Sequence, residues 1–203
     1  MGTDSNKKNS GIDPGETIWN FRADGSITSS PVATDESVYF TDKDDNLISI
    51  DVETGSWEWY FEMDTVMGRC SPTVSNEAIY TGSSDGIYCI SCSSGQQNWK
   101  FGTEGRVTCQ PKISDNSVYF TDWDGNMYSL DVNSGELNWK VDLINAQDLS
   151  FSSQLEVFNN KIYIGSKDGS VYALDATTGN LYWRFKTRGS TMSSPAVTNN
   201  TVL

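Results

Sequence analysis

Tryptophan recurs along this chain at a fixed interval. Trp19, Trp59, Trp99, Trp139 and Trp183 are 40, 40, 40 and 44 residues apart, and each follows a glycine by four positions: Gly15, Gly55, Gly95, Gly135 and Gly179. A period of this length means that one supersecondary unit is copied along the chain and that no copy buries its apolar face without its neighbours. Aligned on the tryptophans, each unit runs through a glycine turn, a Ser-Pro stretch, a Val-Tyr or Ile-Tyr pair, an Asp-Gly turn, a second alternating stretch and a Thr-Gly or Ser-Gly before the indole. Four complete copies occupy residues 20–59, 60–99, 100–139 and 140–183, residues 184–203 form half of a fifth, and residues 1–14 are a polar tail.

Within a unit the apolar residues alternate with period two, as in SVYFTD, NSVYFTD and KIYIGS, and the runs are bounded by Asn, Asp and Gly. That pattern predicts strands, and no segment carries helical periodicity. Segmentation predicts four strands per unit: A around SITSSPVAT, B around SVYFT, C around NLISIDV and D around SWEWYFE. The B–C connections DKDDN, SSDG, DWDGN and SKDG carry the residues that tolerate positive φ in a tight hairpin. A four-stranded antiparallel unit with a period of about 40–45 residues predicts an all-β β-propeller, in which a large indole fills the gap between adjacent blades.

The propeller class follows from what the repeat contains. Histidine is absent, and Trp123-Asp124 is a Trp-Asp pair in a turn that does not recur, so WD40 is disfavoured; no Gly-Gly pair supports kelch. The pattern A-x-D-x-x-T-G-x-x-x-W fits SIDVETGSWEW, CISCSSGQQNW, SLDVNSGELNW and ALDATTGNLYW. It resembles the tryptophan-docking motif of PQQ-like repeats, the family that includes quinoprotein dehydrogenases and BamB-like proteins. The resemblance covers nearly the whole chain, although PGETIW preserves only the last half of the motif. It implies a ring of usually eight blades, which needs more than about 300 residues. The expectation here is therefore four full blades and a partial one, a fragment or open arc whose exposed edges allow self-association. It also implies an extracytoplasmic location, although MGTDSNKKNSGIDPGE lacks the apolar core of a signal peptide.

Charge and chemistry narrow the function. A formal charge of -13 opposes contact with nucleic acid or anionic lipid, and no apolar run reaches the length of a membrane helix. Cys89 and Cys92 form a C-x-x-C, but the alignment places them in the slots of Ser49, Ser129 and Ala173 and of Val52, Val132 and Ala176, as small residues. Cys70 and Cys109 share the slot of Ser29. Without histidine or a second C-x-x-C, no zinc site is completed. The turns at Asp42, Asp44, Asn46 and at Asp122, Asp124, Asn126 have the spacing of calcium loops, but hairpin chemistry explains them, and Glu53, the distal ligand candidate, lies beyond a strand. No nucleophilic triad or phosphate loop is present. A quinoprotein dehydrogenase would bind PQQ and calcium and, by the same resemblance, would carry an adjacent Cys-Cys disulfide that this chain lacks.

The remaining expectation is a non-catalytic scaffold that binds a protein or peptide through the D–A and B–C connections, which share one face, in a BamB-like role in envelope assembly or as the propeller of a larger surface or sensor protein. The fourth unit departs there: Trp139 to Leu155 is 16 residues where Trp19 to Pro31, Trp99 to Pro111 and Trp183 to Pro195 are each 12, and Leu155 replaces the usual Pro. Candidate contacts on this face are Arg69, Arg106, Trp123, Leu143, Ile144 and Arg188, with Arg22, Met63 and Met67 nearby. No catalytic, cofactor or metal residue is assigned.

Overall fold

A computed structural model describes residues 17–44, 46–63, 70–143, 153–191, 193–198 and 201–202. Every regular element among them is a strand, and the strands form four separate antiparallel sheets in chain order. The first contains β1 (Val32–Ala33), β2 (Ser37–Thr41), β3 (Asn46–Asp51) and β4 (Trp57–Glu62), and the second β5 (Thr73–Ser75), β6 (Ala78–Ser83), β7 (Gly86–Ser91) and β8 (Gln97–Gly102). The third contains β9 (Lys112–Ser114), β10 (Ser117–Thr121), β11 (Asn126–Asp131) and β12 (Leu137–Asp142), and the fourth β13 (Glu156–Phe158), β14 (Lys161–Ser166), β15 (Ser170–Asp175) and β16 (Leu181–Lys186). This is a partial, unclosed β-propeller: adjacent inner strands β5, β9 and β13 touch one another, while the first and fourth sheets do not pack together.

The apolar cores lie between sheets, because alternate residues of the two middle strands of each sheet point to opposite faces. Tyr39, Leu47 and Met63 of the first repeat pack on Ile79, Tyr88 and Ile90 of the second. Tyr80, Ile87 and Trp99 meet Val118, Phe120 and Leu130, and Tyr119 and Met127 meet Ile162, Ile164 and Leu174. At roughly 1.5–3 kcal/mol per large apolar side chain buried, these interfaces outweigh any single hydrogen bond between the sheets.

The innermost strands are far shorter than the sequence pattern predicts. Of SITSSPVAT only Val32–Ala33 is strand, with one isolated bridge between Ile27 and Asp42. Pro31 has no N–H to offer a ladder, and the Ser29 hydroxyl takes the ladder's place: it accepts from the Thr41 N–H at 2.8 Å and donates to the Thr41 carbonyl at 3.4 Å. Cys109 does the same at Thr121 with its thiol, and Ser153 at Gly165 with its hydroxyl. Ser and Cys interchange in this slot because either bonds both groups of one peptide.

Each outer strand carries a bulge at the same place. The register shifts between Ser49 and Ile50, Cys89 and Ile90, Ser129 and Leu130, and Ala173 and Leu174, so that one extra residue stands in β4, β8, β12 and β16. Three of these extra residues bond the small residue opposite: Ser49 donates to Glu58, Asn98 donates to the Cys89 sulfur and Asn138 donates to Ser129.

Candidate interaction face

The motif that repeats along the sequence is a docking device between blades. The Trp19 indole N–H donates to the Val52 carbonyl at 2.9 Å, Trp59 to Cys92 at 3.0 Å, Trp99 to Val132 at 3.2 Å and Trp139 to Ala176 at 3.0 Å. Each of these rings lies on the glycine of the next sheet, not on the glycine four residues before it. A Cβ built on Gly55, Gly95, Gly135 or Gly179 would come within 2.6–2.8 Å of the indole, and all four glycines have φ of 66–72°. Glycine there serves the turn and the neighbouring ring at once. Gly15 lies outside the described residues. Trp183 is 39% exposed, and among the described residues no sheet follows to receive it.

Register explains the first position of the motif. Tyr39, Ser49 and Trp59 stand side by side across β2, β3 and β4, and the two rings meet over the small residue at 5.8 Å. The rows Tyr80–Cys89–Trp99, Tyr119–Ser129–Trp139 and Tyr163–Ala173–Trp183 repeat this with centroids 5.8, 6.1 and 6.0 Å apart. Cys89 is thus a small residue between two rings, while Cys92, past the end of β7, contributes its carbonyl to Trp59. Burial raises the thiol pKa of both, which leaves them poor nucleophiles.

Backbone hydrogen bonds sort the connections into two faces. Trp123 N–H donates to the Arg106 carbonyl, Leu143 to Gly125 and Thr187 to Gly169, joining D–A to B–C connections; Val52 donates to Glu36, Cys92 to Glu77 and Val132 to Asn116, joining C–D to A–B. On the first face Trp123 stands 51% exposed in the β10–β11 turn. Its indole N–H donates to the Thr108 hydroxyl at 2.6 Å, and the Arg106 guanidinium lies 5.6 Å from its ring centre. Arg188 is exposed. Leu143 packs on the core of the fourth sheet and Met63 is buried between the first two sheets, so both fold back on the blades. Arg69, Ile144 and Met67 lie outside the described residues.

Four aspartates of the B–C turns are hydrogen-bonded within their own sheets. Asp42 accepts from the N–H groups of Asp44 and Asn46 and from the Asn46 amide, and Asp122 accepts from Asp124, Asn126 and the Tyr128 hydroxyl. Tyr88 with Lys100 closes on Asp85, and Tyr172 with Arg184 closes on Asp168. These clasps tie strands C and D to the B–C turn and were not visible in the sequence, since the cation lies 15 or 16 residues from the aspartate and only the C–D register brings it back. Among the described residues no three His, Cys, Asp or Glu side chains group to hold a metal, and no two cysteines are adjacent. No helix among the described residues is long and apolar enough to cross a membrane.

Comparison with known proteins places the chain. The family model described as outer membrane protein assembly factor BamB matches residues 8–86, 62–157 and 143–203. No curated protein matches. The crystal structure of BamB from Moraxella catarrhalis superposes with a TM-score of 0.79 at 20% identity, over 91% of this chain and 60% of that one. A quinohemoprotein alcohol dehydrogenase from Pseudomonas putida HK5 gives 0.72 at 15% identity, over 83% and 35%, and a europium-containing methanol dehydrogenase gives 0.72 at 12%, over 87% and 45%. This chain thus spans between 35% and 60% of these structures, and at these identities the likeness is one of fold. With its repeat matched by the family model and the indoles of Trp19, Trp59, Trp99 and Trp139 each seated on the next blade, the chain belongs to the BamB family of PQQ-like β-propellers.

Proposed function

We propose that this protein is a non-catalytic propeller scaffold that binds another protein through its D–A/B–C face, working outside the cytoplasm in envelope or membrane-protein assembly without quinone or calcium. The observation that carries this reading is Trp123, half exposed yet held in one orientation by Thr108 and Arg106. A large aromatic fixed beside an arginine is the usual composition of an interface anchor, because little side-chain entropy remains to be lost on binding. The family description supports the assembly role, and the engagement of Asp42 and Asp122 in turn capping supports the absence of catalysis.

The test is a photo-cross-linking residue at position 123, with a second at Thr54 in a C–D turn of the opposite face. A protein adduct from position 123 alone is expected, lost on Arg106→Ala. Equal adducts from both positions overturn the face assignment. Titration with PQQ and calcium, followed by tryptophan quenching, addresses the dehydrogenase reading: saturable one-to-one binding would replace the scaffold with an enzyme.

A further inference from the structure

The first sheet lacks a part that the other three have. In the second, third and fourth sheets a strand-C tyrosine donates its hydroxyl to an aspartate of the B–C turn, and a strand-D cation lies over its ring: Lys100 at 4.8 Å from Tyr88, Lys140 at 5.3 Å from Tyr128, Arg184 at 5.3 Å from Tyr172. The equivalent residues of the first sheet are Ile48 and Tyr60, paired across β3 and β4 in the same register as Tyr128 and Lys140. The aspartate of the third sheet, Asp122, has its counterpart in Asp42, which is 4% exposed. Its Oδ2 accepts from the Asn46 amide, as Asp122 Oδ2 does from Asn126, but Asp122 Oδ2 also accepts from the Tyr128 hydroxyl, a donor the first sheet does not supply.

Where the tyrosine ring and the cation are missing there is a cavity of about 400 Å³. Phe21 and Ile48 form its apolar floor. Trp57 and Tyr60, 57% and 56% exposed with ring centres 6.4 Å apart, form a wall. Asp24, Asp42 and Glu62 line it, against a single guanidinium, that of Arg22, which makes no ion pair among the described residues. The site therefore offers an aromatic wall, an apolar floor and an excess of carboxylate.

We infer that this cavity binds an organic cation from outside the chain: an ammonium or guanidinium on an apolar stem. The head group stands between a carboxylate and an aromatic ring, as Lys100 and Arg184 do in their sheets, here with Trp57 and Tyr60 as the rings, and the stem lies along Phe21 and Ile48. A free amine and a lysine or arginine side chain of another protein share this chemistry.

Two-dimensional NMR of the intact chain, titrated separately with N-acetyl-arginine amide, N-acetyl-lysine amide and a neutral peptide containing one arginine, tests the site at the Trp57 indole N–H. Saturable shifts are expected with all three. Tighter binding of the peptide identifies a protein side chain as the source, and equal affinities identify a free cation. Tyr60→Lys supplies the cation internally and weakens binding about tenfold. Ile48→Tyr fills the floor and must also abolish the shift, so that the outcome does not depend on one variant. Saturation by p-cresol in place of the cations overturns the inference, and so does unchanged affinity in Tyr60→Lys. The titration needs no protein partner, so this cavity and the face around Trp123 stand or fall separately.

Discussion

Gly95 shows how much one position carries. It turns the chain at φ 66° and also lies under the Trp59 ring, 2.7 Å from where a Cβ would be. Gly95→Ala meets both constraints, and a loss of about 2–4 kcal/mol is expected in urea unfolding. The tryptophans grade by their neighbours. Trp99 is 8% exposed and capped by the third sheet, so Trp99→Ala should cost about 3–5 kcal/mol, whereas Trp183→Ala, at 39% exposure and with no sheet among the described residues to dock on, should cost about 1 kcal/mol. Tyr172 gives a pH signature. Burial first, and then its hydrogen bond to Asp168, push its hydroxyl up to about 12. An unfolded tyrosine titrates near pH ~10. The folded value is the higher one, so the stabilisation is complete below pH ~10 and is lost as pH rises through the folded value. Unfolding measured across that window should show stability falling, and Tyr172→Phe should make the fall shallower.

The C–D turn is the most regular element. Asp51, Asp131 and Asp175 each accept from the N–H groups two and three residues on. In the second sheet Ser91 stands in this place, and its hydroxyl reaches Ser93 instead. Ser91→Asp should therefore raise the melting temperature at neutral pH, and the gain should vanish in acid as the new carboxylate protonates. The Cys89 slot separates two rings and tolerates only small residues. Cys89→Ala, the residue that the fourth sheet uses as Ala173, should change stability by less than about 1 kcal/mol, and Cys89→Leu should lose about 1–3 kcal/mol by overpacking, both read by denaturant titration.

At the scale of the molecule, stability resides between sheets, as expected where each unit contacts only its neighbours. The second and third sheets are covered on both faces, while Trp183 and Phe185 of the fourth sheet stand exposed among the described residues. Amide exchange should be slowest in β6, β7, β10 and β11 and fastest in β16, in a graded order from the middle of the array outward.

Period, strand count and turn chemistry were legible because they are local. A 40-residue repeat with alternating apolar residues admits little besides a blade, and the middle strands β2, β3, β10 and β11 fall where the alternation predicts them. The shortness of the inner strands was less legible, because Ser29 and Cys109 replace ladder hydrogen bonds with side-chain ones, which alternation does not record. Which glycine meets which indole, why the first motif residue is small and how Asp, Tyr and a cation close into a clasp were decided only by the tertiary structure. Each of these joins residues brought together by sheet register or by the stacking of one sheet on the next, and no spacing within a unit encodes such a distance. The missing clasp in the first sheet has the same character: Ile48 and Tyr60 read as ordinary strand residues until three neighbouring sheets show what they replace.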